Sequence, residues 1–184
     1  MPVQGPDLRY RQVYSHDIFT KPVMITGLRF YSGYSTLIQA DYQILLATTP
    51  APDVLPYWNA FSDPANSVVF YSGRAGTTTP DFSFETSTFD FSGKPFYYDP
   101  AQGNLTVVIH GSNYGPPTFS RMIGISDGTA PFDFMLSWPQ GAAFEYGAGM
   151  ATTFITTDPV NVPAPEPGTI GLSGVLLAAA AAVR

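Results

Sequence analysis

The chain contains no cysteine. Disulfides, thiolate catalysis and cysteine-based zinc sites are therefore excluded. Charge is scarce as well, with 12% of the residues being Asp, Glu, Lys or Arg. That is half the ~25% of an ordinary soluble domain, which rules out a solvated coiled coil or a long charged helix. The eight Lys and Arg residues are scattered from Arg9 to Arg184, and the net charge is −6. A phosphate backbone calls for clustered cations, so nucleic acid is not an expected partner. Histidine is confined to His16 and His110, and glutamate to Glu85, Glu145 and Glu166. No Gly-x-Ser-x-Gly elbow and no metal-type histidine spacing accompanies them.

What is present is apolar, aromatic and rich in turn formers. Of 184 residues, 45% are hydrophobic and 15% aromatic, with 17 Gly and 18 Pro. The length suits about one domain with a sizeable core. Phe, Tyr and β-branched residues favour strands, and Gly and Pro punctuate them. Val23–Tyr31, Ser67–Ser72, Lys94–Tyr98, Arg121–Ser126, Phe132–Trp138 and Ala151–Thr156 read as strands between turn signals. In residues 37–49, Gln39, Asp41 and Gln43 alternate with Ala40, Tyr42 and Ile44, the period of a half-buried strand. Leu105, Val107 and Ile109 mark a core strand over Asn104–His110. Residues 82–91 suggest one or two further strands. Asp53–Phe61 is the one helix candidate, kept to a turn or two by Pro56. Roughly ten short strands predict an all-β domain over residues 8–157, an antiparallel β-sandwich or jelly roll.

The end of the chain changes character. Residues 158–167 hold four prolines and read as an extended linker. Residues 168–183 carry no charge, and Arg184 follows. As a helix these 16 residues reach about 24 Å at 1.5 Å per residue, short of a ~30 Å hydrocarbon core. Five consecutive alanines and no polar stripe make a poor face for packing on a domain. A weak membrane stop behind a rigid tether is the better description, with the basic end on the cytoplasmic side.

This tail resembles the PEP-CTERM sorting signal of Gram-negative bacteria. Pro165-Glu166-Pro167, preceded by Val162 and Pro163, matches the motif. Gly168-Thr169 is similar to the usual Ser-Thr. The apolar segment carries Ile170, Leu172, Val175, Leu176, Leu177 and Val183, and the family's run of basic residues is represented by Arg184 alone. The resemblance implies recognition by exosortase, a membrane protease-transpeptidase. It further implies a transient inner-membrane intermediate, removal of the tail, and association with exopolysaccharide or biofilm matrix. Arg9–Tyr14, Ile25–Phe30 and Tyr98–Leu105 look like strings recurring in the ectodomains of such proteins. Export needs a leader, and Met1–Asp7 has neither a basic nor an apolar region. The expectation is that translation starts upstream of Met1.

An exported, non-enzymatic surface or matrix protein is the leading expectation, with no catalytic residue, metal or cofactor assigned. A carbohydrate-binding β-sandwich is the alternative, with Tyr57 and Trp58 as the first candidates for stacking on sugar faces. A jelly-roll hydrolase would need paired acids, for which Glu85 and Glu145 are available. His16 beside Asp17 has the composition of a general base. His110 reads as a rim residue. Eleven Asp against three Glu suit turns, with a Ca²⁺ site from Asp127 and Asp133 as the less favoured reading.

Overall fold

The computed structural model describes residues 8–32, 37, 39–50, 63–76, 87–113, 124–126, 132–138, 141–145 and 148–159. The helix candidate at 53–61, Tyr57 and Trp58, the PEP motif and the apolar tail lie outside them. The chain is all-β, as expected: eleven strands and two short 3-10 turns, with no α-helix among the described residues. None of its helices there is long and apolar enough to cross a membrane.

The strands are β1 (Leu8–Tyr14), β2 (Val23–Ser32), β3 (Ala40–Thr49), β4 (Val68–Ala75), β5 (Ser87–Tyr98) and β6 (Asn104–Ser112). They continue as β7 (Gly124–Ser126), β8 (Phe132–Trp138), β9 (Gly141–Glu145), β10 (Ala148–Met150) and β11 (Thr152–Thr157). Six form one sheet in the order β4-β3-β6-β1-β8-β9, three form a second in the order β11-β2-β5, and β7 pairs with β10. All pairings are antiparallel.

The two larger sheets share one apolar cluster. Ile44, Leu46, Leu105 and Val107 from the first meet Ile25, Leu28, Phe30 and Phe91 from the second, all buried. Each such side chain contributes ~1.5–3 kcal/mol on burial. Edge-to-face ring pairs knit the cluster: Tyr42, Tyr71 and Phe30 all set their planes against Phe91 at 5.0–6.0 Å. Burial pushes the Tyr42 hydroxyl up to about 12.

β6, between β3 and β1, is buried on both faces from Asn104 to Val108. β3 follows it: the expected alternation holds from Ala40 to Gln43, then Ile44–Ala47 are all buried. Residues opposite each other on an antiparallel ladder share a face. Leu45 lies opposite Val108, and Ala47 and Val13 lie opposite Thr106. These five form a second buried patch on the side of the large sheet away from the shared cluster.

One buried polar node sets the geometry of the N-terminal strand. Gln12 is fully buried. Its Oε1 accepts from Tyr10 Oη at 2.5 Å and from the Met150 amide at 2.9 Å. Its Nε2 donates to the Met150 carbonyl at 3.2 Å. Two residues on, Tyr14 Oη donates to Thr152 Oγ1 at 2.8 Å. Burial pushes both tyrosine hydroxyls up, and the Met150 amide partly offsets this at Tyr10.

Two departures from the sequence reading have plain causes. β5 runs unbroken from Ser87 to Tyr98, where a break at Ser92-Gly93 between separate strands was expected. Phe96 pairs with Ile25 and Ser92 with Gly27, so Gly93-Lys94-Pro95 bulge opposite Thr26. β5 is an edge strand, where proline's missing N–H costs no ladder bond. β9 and β10 were not anticipated, because Gly141–Met150 is rich in Gly and Ala, poor strand formers by composition.

The bulge brings β5 against β4. A Cβ on Gly93 would overlap the Phe70 carbonyl oxygen and meet its ring carbons at 2.7 Å. A Cβ on Gly73 would meet only the Tyr71 hydroxyl end at 3.1 Å. Gly93→Ala is therefore expected to destabilise the fold by about 1–3 kcal/mol in urea denaturation, with Gly73→Ala well below it. Equal effects would contradict the close approach of the two sheet edges.

Candidate functional site

The large sheet's second face ends in a polar trough. The register makes it: Arg9 on β1 lies opposite His110 on β6, His110 opposite Gln43 on β3, and Gln43 opposite Ser72 on β4. One step along the strands, Ser112, Asp41 and Arg74 form a second row. Each row thus places one polar side chain per strand on one face. Neighbouring groups lie ~4.8 Å apart across strands and ~6.6 Å apart along them. The depression they line has a volume of about 440 Å³, within the usual ~300–1,000 Å³ of ligand sites.

Part of this lining is fixed. Arg74 Nη1 donates to Asp41 Oδ1 at 3.0 Å and to the Asn113 carbonyl at 3.4 Å, and its Nη2 reaches Gln39 Oε1 at 3.1 Å. Asn113 Nδ2 donates to Asp41 Oδ2 at 2.7 Å. Asn113 holds a left-handed φ of 51°, which asparagine tolerates better than most residues. The Asn113 amide and then the Arg74 guanidinium hold the Asp41 carboxyl below its ordinary range. At the other end, His110 Nε2 sits 2.9 Å from Asp63 Oδ1. Asp63 lies ahead of β4, and Asn66 beside it donates to the Thr48 carbonyl at 2.7 Å. Burial pulls the Arg11 guanidinium down, and the Asp63 carboxylate opposes that.

Three of the remaining lining side chains are unengaged. Gln43, Ser72 and Ser112 make no side-chain hydrogen bond to another described residue. Among the described residues no serine hydroxyl is hydrogen-bonded to a histidine, and no three His, Asp or Glu side chains are grouped to hold a metal.

The residues singled out from sequence fare differently. His110 faces the trough from within β6, where a rim position was expected. His16 is a turn anchor: its amide donates to Asn104 Oδ1 at 3.1 Å, Nδ1 lies 3.3 Å from the same oxygen, and Nε2 lies 3.2 Å from Asp17. Ser15 caps the same turn, its Oγ accepting from the Asp17 amide at 3.3 Å. Tyr98 is core, donating to the Gly103 carbonyl at 2.7 Å; burial, with the charges of Asp99 and Asp17, pushes it up to about 12. Asp133 lies in β8 opposite Val13, and Glu145 in β9 opposite Phe134. Their expected partners, Asp127 and Glu85, lie outside the described residues, as do Tyr57 and Trp58. Sequence reading missed the trough altogether, since its rows come from four strands and no motif joins them.

No protein-family model matches this chain, and neither the curated proteins nor the solved structures contain a match to it.

The Asp41 cluster gives a direct test. Its carboxyl should titrate below its ordinary 3.8 when followed by NMR. Asn113→Ala should move the midpoint up toward that value. A depressed carboxyl contributes stability present above its unfolded value and lost as pH falls through its folded one. The fold should therefore lose this contribution only below 3.8. An unmoved midpoint in the variant would show that Asn113 does not hold the carboxylate.

Proposed function

We propose that this chain is an exported, non-enzymatic cell-surface or matrix protein, sorted by a PEP-CTERM-type tail. The β unit is read as a sandwich of jelly-roll character over residues 8–157. Residues 158–167 form the tether, and residues 168–184 an apolar helix with Arg184 at its cytoplasmic end. In this reading the apolar helix holds the chain at the inner membrane. Exosortase recognises Glu166 between Pro165 and Pro167 and removes the tail. The β unit then passes to the surface or matrix and associates with exopolysaccharide.

The observation that carries this is the abrupt change of chain character after the last strand. β11 ends at Thr157, and Asp158 is tied back to Lys21 by an ion pair at 2.5 Å. The proline-rich segment begins at once, and the uncharged segment follows it. A tail that packed on the β unit would carry an apolar face and a polar one; this one is apolar all round. The shared apolar cluster of the two larger sheets supports the sandwich reading.

Replacing Pro165, Glu166 and Pro167 with alanine in the native host tests the sorting role. Full-length variant protein should accumulate in the inner-membrane fraction while wild type is released. Normal release of the variant would remove the motif from the mechanism.

A further inference from the structure

We propose that the polar trough on the large sheet binds a neutral, hydroxyl-rich saccharide of a polysaccharide chain, gripped by Gln43, Ser72 and Ser112. This rests on the association with exopolysaccharide proposed above and assigns that association to one face.

The trough combines a rigid frame with unspent hydrogen-bonding groups. Asp41, Arg74 and Asn113 hold one another, and Asp63 holds His110. Between these fixed ends stand Gln43, Ser72 and Ser112, with no side-chain partner among the described residues. An amide offers two donors and an acceptor, and each hydroxyl offers both. A sugar ring presents the same mixture, every hydroxyl donating one bond and accepting up to two. The short Ser72 and Ser112 side chains lose little freedom when a ligand arrives, and Gln43 loses more.

The same observations set other ligands aside. An anionic ligand would need an uncommitted cation, but the Arg74 guanidinium is spent on Asp41, Gln39 and Asn113, and Arg9, the other cation of the lining, is engaged as well. The chain's net charge of −6 also repels a polyanion. An apolar ligand finds no aliphatic side chain in the lining. The aromatic residue in the lining, Tyr42, is buried and set against Phe91 in the core. Recognition here runs through hydrogen bonds, without a stacking ring among the described residues. Single-site binding of that kind is weak, and a polymer with repeated units compensates through multiple attachment.

The test is affinity electrophoresis and calorimetry of the full chain against a soluble neutral glucan and against a polyuronate. Wild type should bind the neutral glucan with an affinity that hardly changes with salt. The double variant Gln43→Ala/Ser72→Ala should bind about tenfold or more weakly, roughly what two lost hydrogen bonds give. Its unfolding midpoint should be unchanged, since neither side chain holds the fold together; a clear drop would contradict the unengaged geometry. Ser112→Ala serves as a second variant in the other row. Wild-type binding that both variants retain would overturn the trough while leaving the polysaccharide association intact. Preference for the polyuronate, or a steep loss with salt, would overturn the neutral ligand class. Failure of wild type to bind any glycan, including the host's own polysaccharide, would overturn both readings.

Discussion

The fold depends on a glutamine that has no access to water. A buried amide left unpaired costs about 1–3 kcal/mol per missing bond, so Gln12 dictates what must stand beside it. The backbone of Met150 answers that demand on both sides, as acceptor and as donor. Residues far apart in the chain are thereby locked together, with Tyr14 and Thr152 repeating the link one step on. Once Met150 is fixed against β1, Thr152 follows immediately, and β11 is delivered to the open side of β2. Phe154 then closes against Tyr14 at 4.9 Å and Phe19 at 5.3 Å. A polar interaction thus sets the position of the strand from which the C-terminal tail departs.

The large sheet carries a second consequence of its register. Its central strands are buried on both faces at one end, through Leu45, Ala47, Thr106 and Val108. The same face turns polar at the other end, through Gln43, His110 and Asp41. The polar groups cannot retreat into the core, because a shift of one residue would carry the whole strand's apolar set to the wrong face. Apolar burial therefore holds these polar residues in place, although none of the three belongs to the core.

Several elements were legible because they follow local rules. Leu105, Val107 and Ile109 mark β6 by simple alternation, and the first half of β3 alternates as read. The turn at Asp99-Pro100 closes as its composition suggests, with the Asp99 carboxylate accepting from the Ala101 amide at 3.0 Å. Other elements were hidden because their causes are not local. The continuity of β5 across Gly93 depends on a bulge against β2, which no stretch of sequence reveals. β9 and β10 are weak by composition and exist through pairing with β8 and β7. His16 beside Asp17 looked chemical in sequence, yet Asn104, far along the chain, makes it a structural anchor. The trough lay furthest from view, because Arg9, Gln43, Ser72 and His110 become neighbours only through strand order and register.

The proposed export and processing would join the tail's sequence to the β unit's placement, and a single mass spectrum addresses both. The intact mass of the native protein from surface and secreted fractions should lack the stretch after about Pro167, with any added mass identifying what replaces it. A chain still ending at Arg184 and recovered from the cytosol would contradict the sorting role and leave the tail as a packed helix.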